Sequence, residues 1–165
     1  HQYLDTGLDV EDAILAGYGD ERQRHDQRGR CLARCGQQRE RDGDRRLGVL
    51  TDTGCSTPHI EAMLAGVDAL VLECNHDATM LENGPYPVSL KRRVGGRFGH
   101  LENGQSAALL DRLTHDKLQC VMAAHVSRKN NTAALAQRAL AQVLNCADDE
   151  VRVACQTTGF DWIRI

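Results

Sequence analysis

Apolar positions follow a regular pattern only from Leu47 onward. Three short apolar runs, at residues 47–51, 69–74 and 118–124, have the length and composition of buried strands. Between and after these runs, apolar residues recur at helical spacing. We predict helices from Thr57 to a stop at Gly66, over 77–81, 88–94 and 105–113, and from a cap at Asn131 to residue 144. Two strands, 151–156 and 160–165, should close the chain, and this alternation is typical of the α/β class.

The first 46 residues have a different character. Residues 21–46 carry nine arginines, no lysine and almost no apolar side chain, so this stretch cannot bury a core of its own. It is interpreted as a solvated linker, as a basic arm that binds nucleic acid, or as sequence read from a shifted frame. The arm lacks the aromatic residues that stack on bases. We therefore predict an atypical segment over 1–46 and a patterned domain over 47–165.

Composition narrows the classes of protein. The 165 residues suit one domain or part of a larger one, and a net charge of −3 gives the whole chain no signal for nucleic acid or membrane. A run of about 18 apolar residues is lacking, so no membrane span is expected. The chain begins without Met, which suggests a fragment or a trimmed chain, and its first residues do not form a signal peptide. A cytoplasmic location is expected, because the cysteines fit free thiols in a reducing cytosol. The seven cysteines contain no C-x-x-C and are interpreted as buried free thiols, with Cys74, Cys120 and Cys155 in predicted strands.

Polar side chains of the types that bind metals or catalyse reactions follow each of the three predicted buried strands. They are Asp52 after the first, Glu73, Asn75, His76 and Asp77 at the end of the second, and His125, Ser127 and Asn130 after the third. In open α/β sheets, ligands bind outside the carboxyl ends of the strands. Each residue alone could be an ordinary loop residue, and together they could form a shared metal or catalytic site.

A glycine-rich loop supplies a further candidate. Gly95-Gly96-Arg97-Phe98-Gly99-His100 precedes a predicted helix, and glycine allows close approach of the backbone to a ligand. A helix N-terminus can receive an anion. A phosphate held by Arg97 and His100 would fit this loop, and a flexible loop with a solvated histidine is the alternative.

Four motifs, taken in order, resemble a known family. They are Leu50-Thr51-Asp52-Thr53-Gly54, Leu72-Glu73-Cys74-Asn75-His76-Asp77, Gly99-His100-Leu101-Glu102-Asn103, and Ala124-His125-Val126-Ser127 with Asn130-Asn131. Over about residues 45–165 the chain is similar to the C-terminal half of the metallo-β-lactamase-fold hydrolases, and most similar to their YycJ-type branch, which is related to nucleases. The resemblance implies half of an αββα sandwich, preceded by an irregular or atypical N-terminal part.

The resemblance also implies roles and cofactors. Asp52 resembles the catalytic carboxylate that bridges two metal ions, and His125 resembles the last histidine ligand of the second ion. His100 resembles the catalytic histidine that contacts the scissile phosphate. The residues of the signature loop would support the site; they are Glu73, Asn75, His76 and Asp77. Two divalent ions, zinc or manganese, and a DNA substrate cut as by a phosphodiesterase or exonuclease are implied.

The chain departs from the family at two points. The family hallmark H-x-H-x-D-H is missing, because the sequence contains no H-x-H. A further histidine ligand is expected upstream of Asp52, and His25, in His25-Asp26, is the candidate. Glu102 stands where a small hydroxyl residue is expected.

These observations leave three hypotheses. The first is a fragment of a two-metal hydrolase, inactive by itself. The second is a non-catalytic structural or binding remnant of the fold, and the third is a small-molecule hydrolase of thioesterase or lactonase type. For the first hypothesis we expect Asp52, His76, His100 and His125 to converge at one edge of the sheet.

Overall fold

The computed structural model describes residues 45–155, 157–160, 163 and 165, together with the backbone of Gln38–Arg39. Its sheet has five strands in the order β1-β2-β3-β4-β5. These are β1 (Gln38–Arg39), β2 (Arg46–Leu50), β3 (Ala69–Glu73), β4 (Cys120–Ala124) and β5 (Arg152–Val153). The first strand pairs antiparallel with β2, and the other neighbours pair in parallel. The predicted α/β class is confirmed, and the arrangement is consistent with part of a metallo-β-lactamase-type fold.

Helices connect the parallel strands. They are α1 (Pro58–Leu64), α2 (Ala78–Asn83), α3 (Val88–Val94), α4 (Asn103–Leu113) and α5 (Ala133–Leu144), followed by a 3-10 turn at Asp148–Glu150. Side-chain oxygens of Thr57, Asp77 and Thr132 accept hydrogen bonds from backbone N–H groups in the first turns of α1, α2 and α5. Such caps satisfy donors that the helix itself leaves unpaired. None of the described helices is long and apolar enough to cross a membrane.

The structure corrects several predicted boundaries. Thr132, and not Asn131, caps α5, because the side chain of Asn131 is used in a buried amide pair with Asn103. The strand predicted over 118–124 begins at Cys120. Of the strand predicted over 151–156, two residues form β5 and Gln156 lies outside the described residues.

Other predicted segments lie wholly or partly outside the residues that the structure describes. Of the strand predicted over 160–165, the described residues Phe160, Ile163 and Ile165 are not in a strand, and the others lie outside the described set. Most of the segment 1–46, including Cys31 and Cys35, is likewise outside it. Residues Gln38–Arg39 form an edge strand and Arg46 opens β2. The division at residue 46 stays a prediction.

The sheet separates two apolar clusters. On one face, Leu50, Leu72 and Ala123 pack with helix residues, among them Leu109 and Leu140. The opposite face carries a second set, which is Leu47, Ala69, Val71, Met122 and Ala124, with Phe160, Ile163 and Ile165 against it. Burying both faces is what the continuous apolar runs predicted.

The cysteines divide by burial. Cys74 is buried, Cys120 is half-buried and Cys155 is exposed. The prediction of a buried thiol is therefore wrong for Cys155, because the chain leaves the sheet after Val153 and turns back at Gly159. Parallel registry sets β2, β3 and β4 side by side, with Leu50 opposite Leu72 and Glu73 opposite Ala124. Their carboxyl ends consequently meet at one edge, where the polar residues follow.

Candidate metal centre

Four side chains of types that can ligate a metal ion converge at this edge. One ligand atom from each of Asp52, Glu73, His100 and His125 lies within 4.8 Å of every other. Glu73 ends β3, His125 directly follows β4, and Asp52 stands two residues after β2. His100 comes from the loop between α3 and α4. The structure thus brings together residues that are far apart in the sequence.

Glu73 is the centre of the group. Its side chain is fully buried, and its Oε1 lies 2.8 Å from Nδ1 of His100 and 2.7 Å from Nδ1 of His125. Its other oxygen, Oε2, accepts a hydrogen bond of 3.0 Å from the backbone N–H of Thr53. One carboxylate therefore fixes the orientation of both imidazoles and of the loop that carries Asp52. Sequence reasoning gave Glu73 only a supporting place, because a glutamate that ends an apolar run does not reveal its partners.

Asp52 lies at the open side of the group. Its side chain is 58% exposed, and Oδ1 is 3.8 Å from Nδ1 of His100 and 3.7 Å from Nδ1 of His125. The two rings meet edge to face, with centroids 4.9 Å apart. Solvent therefore reaches the group from the Asp52 side.

The charges in the group stabilise one another. Burial alone would raise the pKa of Glu73, but the hydrogen bonds from His100 and His125, the charge of His125 and the Thr53 N–H hold that pKa below its ordinary value. Burial alone would lower the pKa of His125, but the hydrogen bond to Glu73 and the charges of Glu73 and Asp52 raise it. A buried carboxylate that stays ionised keeps its acceptor oxygens for the two rings.

Two of the four residues have unusual backbone conformations. The φ angles of Asp52 and His125 are 59° and 53°. These values lie in the left-handed region, which side-chain-bearing residues seldom adopt. Such conformations cluster at ligand sites, where the surrounding structure holds them in place. Here they occur where the chain leaves β2 and β4 and turns each side chain toward Glu73.

A glycine contact joins the Asp52 and His100 loops. A Cβ on Gly54 would clash with the carbonyl oxygen of Gly96 and would lie 2.7 Å from the backbone nitrogen of Gly99. Only glycine permits this approach of two backbones. The backbone N–H of His100 also donates a hydrogen bond of 2.8 Å to the carbonyl of Val94, which further fixes this loop. The glycine-rich loop is thus packed against the site, and not left as a free loop.

Buried side-chain amides donate hydrogen bonds to backbone carbonyls just after β3 and β4. Asn75 Nδ2 donates to the carbonyl of His125 at 2.9 Å. Asn131 Nδ2 donates to the carbonyl of Cys74 at 2.8 Å, and Asn131 and Asn103 pair through their side chains. Buried polar groups that are satisfied in this way make the local structure rigid.

The other predicted site residues lie outside the four-residue group. His76 is buried beside it, and Nδ1 has no hydrogen-bond partner in the described part of the chain. Burial and the nearby His100 lower the pKa of His76, against the opposite effect of Glu73 and Asp77. Asp77 caps α2. Arg97 is exposed, with its guanidinium 5.9 Å from the centre of the Phe98 ring. His25 is outside the described residues.

A cleft of about 190 Å³ opens next to the histidines. Its lining includes His100 and His125 together with Tyr86 and Arg128. Tyr86 was not singled out from the sequence alone, although the flanking Pro85 and Pro87 indicate a loop residue with a restricted backbone. The site therefore consists of a ligand group and an adjoining space for another molecule.

The donor chemistry of the group fits a divalent metal ion. Zinc takes imidazole nitrogens and carboxylate oxygens at about 2.0–2.2 Å, in sets of four or of three plus water. The group offers both of these ligand types, carboxylate and imidazole. Manganese accepts the same ligand types.

Comparison with known proteins agrees with the resemblance found in the motifs. No family model matches the chain. Over 103 residues the chain is 36% identical to the exodeoxyribonuclease YycJ of Bacillus anthracis, a stretch that is 62% of this chain and 39% of that protein. Over 105 residues it is 30% identical to the exodeoxyribonuclease WalJ of Streptococcus pneumoniae, covering 64% of this chain and 39% of that one. The chain spans about two-fifths of the length of these curated relatives. The resemblance to the YycJ-type branch is confirmed.

Proposed function

We propose that the chain carries part of a metal-dependent hydrolase that cuts phosphodiester bonds in DNA. The observation that carries the proposal is the convergence of Asp52, Glu73, His100 and His125 at the carboxyl edge of the parallel sheet. Two relatives named exodeoxyribonucleases support the choice of DNA as substrate. A DNA substrate would also agree with a cytoplasmic location.

We assign each residue a role by the contacts it makes. Asp52, which is open to solvent, and His125 would hold the divalent ions, as the family resemblance implies. Glu73 would act through the histidines, because it binds Nδ1 of both and leaves Nε2 of each ring on the far side. Partners of this kind fix the tautomer and orientation of histidine ligands.

The reaction would follow from this arrangement. Zinc or manganese ions, when bound, lower the pKa of a water molecule and neutralise charge on the phosphate and the leaving oxygen. The chain itself positions the substrate: His100, held by Glu73, would contact the scissile phosphate through the ring edge that faces away from Glu73. Arg97 on the same loop would add a second, more mobile phosphate contact, because its side chain is exposed. His25 remains the proposed upstream ligand.

Metal titration is the first test. Calorimetry with Mn²⁺ and Zn²⁺ should show binding that is weak for the unaltered chain and undetectable for Asp52→Ala and His125→Ala. Arg138→Gln, which changes an exposed side chain on α5, should bind as the unaltered chain does. Equal binding by the Asp52→Ala variant would contradict the proposed site.

Activity requires a second test, because the sequence lacks H-x-H-x-D-H. The chain alone should not cut DNA. Residues 45–165 would replace the matching stretch of the Bacillus anthracis relative, and the chimera should cut DNA with Mn²⁺ and lose that activity on Asp52→Ala. A folded, metal-binding chimera without activity would favour a structural or binding remnant, and hydrolysis of thioesters or lactones in place of DNA would favour a small-molecule hydrolase.

A further inference from the structure

The cleft beside the histidines has a wall that the proposed chemistry does not use. Tyr86 and Arg128 belong to this part of the lining, which the cleft shares with His100 and His125. Tyr86 is half-buried, Arg128 is exposed, and the ammonium of Lys129 lies 5.7 Å from the centre of the Tyr86 ring. An aromatic ring with cationic side chains next to a hydrolytic site has the chemistry of a nucleotide platform.

The position of Tyr86 is set by the chain around it. Pro85 and Pro87 flank the residue, and proline restricts both its own φ and the conformation of the residue before it. Gly84 packs closely on the next loop, since a Cβ there would lie 2.8 Å from Oδ1 of Asn130. The backbone that carries the aromatic ring is therefore restrained before a ligand arrives, which reduces the entropy lost on binding.

The loop that carries Arg128 is also fixed. Ser127 Oγ accepts hydrogen bonds from the N–H groups of Lys129 and Asn130, at 3.4 Å and 3.2 Å. The carbonyl of Asn130 accepts from the N–H of Asp77 at 2.8 Å. The loop that carries Arg128 is thus attached to the segment that follows β3.

The size of the cleft restricts the ligand. Pockets for drug-sized molecules have about 300–1,000 Å³, and this cleft has about 190 Å³. The smaller volume favours one nucleotide of a strand over a larger ligand.

We propose that the cleft receives one unpaired nucleotide of a DNA strand, with Tyr86 stacking on the base and Arg128 binding the adjacent phosphate. The choice of DNA rests on the proposed function. The subsite would make the site specific for single-stranded ends, since a paired nucleotide would have to leave its duplex before it could reach Tyr86.

The test measures binding, which does not depend on cleavage. A fluorescein-labelled oligothymidylate is titrated with the chain in the presence of EDTA, and anisotropy gives the dissociation constant. Tyr86→Ala should weaken binding at least about fivefold, because stacking on an aromatic ring contributes that much or more. Tyr86→Phe should bind as the unaltered chain does. Thermal unfolding shows whether the alanine variant is folded.

Arg128→Gln provides a second variant, on an exposed side chain that folding does not require. It should reduce the salt dependence of binding by about 0.7 in the slope of log K against log salt, the value for one phosphate of a single strand. Arg138→Gln is the matched control, since it removes an exposed arginine on α5 and should leave the slope unchanged.

A strand of abasic residues separates stacking from other effects of Tyr86. It should bind the unaltered chain more weakly than oligothymidylate does, and Tyr86→Ala should abolish that difference. If a folded Tyr86→Ala variant or Arg128→Gln binds oligothymidylate like the unaltered chain, the inference is overturned. Metal titration tests the proposed function separately. If the chain binds Mn²⁺ but Tyr86→Ala does not change strand binding, the subsite alone is refuted. If strand binding depends on Tyr86 but the chain binds no Mn²⁺, the proposed function alone is refuted.

Discussion

Glu73 and His125 are 52 positions apart in the sequence, and Oε1 of the one lies 2.7 Å from Nδ1 of the other. The contact exists because β3 and β4 are parallel neighbours whose last residues, Glu73 and Ala124, are paired. It couples the sheet register directly to the orientation of the His125 ring.

Glu73→Gln should weaken metal binding without unfolding the chain. The amide is close in shape to the carboxylate, but it lacks the charge that orients both rings, and loss of such partners lowers metal affinity by about 10- to 100-fold. Calorimetric titration with Mn²⁺ measures the change. Glu61→Gln is the control, because Glu61 pairs with Arg112 at the exposed surface of α1; affinities that fall equally in both variants would contradict the role given to Glu73.

The pH dependence of metal-free stability should follow from the same pair. The pKa of Glu73 is lowered from 4.5, so its contribution is present above that value and is lost as pH falls through the folded pKa. The pKa of His125 is raised from 6.5, so its contribution is complete below that value and is lost as pH rises through the folded pKa. Both contributions are therefore present between these two pH values.

Thermal unfolding in EDTA across this range checks the signs. The melting temperature of the unaltered chain should fall on the alkaline side, and His125→Gln should flatten that fall. A variant that keeps the full alkaline decrease would show that another group is responsible.

Gly54→Ala should destabilise the fold by about 1–3 kcal/mol, as overpacking does in close-packed sites. The new Cβ would meet backbone atoms of Gly96 and Gly99, which cannot move without shifting the His100 loop. Urea unfolding gives the free energy. Gly104→Ala is the matched control, because its Cβ would meet only the end of the flexible Glu102 side chain, and it should change stability by less than about 0.5 kcal/mol.

Cys155 should react with iodoacetamide at a lower pH than an ordinary thiol. Hydrogen bonds from Thr157 and Thr158 lower its pKa to about 6, and the thiolate is the reactive form. Burial raises the pKa of Cys74 to about 12, so that thiol should stay unmodified in the folded chain. Peptide mapping at several pH values distinguishes the two sites.

Thr157→Val tests the cause of the low pKa of Cys155. It removes the hydroxyl that lies 3.2 Å from Sγ and should move the reaction midpoint toward the ordinary value of 9.0. An unchanged midpoint would contradict the role of Thr157.

The sequence predicted the parts of the fold and of the candidate site that depend on local patterns. The apolar run before Glu73 predicted β3, and polar residues after three strands indicated the edge at which ligand groups meet. It could not predict which polar residue would be central, because that depends on the register between strands. The cap at Thr132 was missed for a similar reason, since the partner of Asn131 is Asn103, which lies 28 positions away.

The left-handed backbone at Asp52 and His125 gives the site a distinctive evolutionary signature. A left-handed conformation costs most residues with a Cβ about 1–2 kcal/mol, and less for Asp and His, whereas glycine avoids that cost. Selection for folding alone would therefore favour glycine at both positions, whereas selection for ligands would preserve the acid and the imidazole. The residue types at positions 52 and 125 in homologous chains therefore indicate whether the site has remained in use.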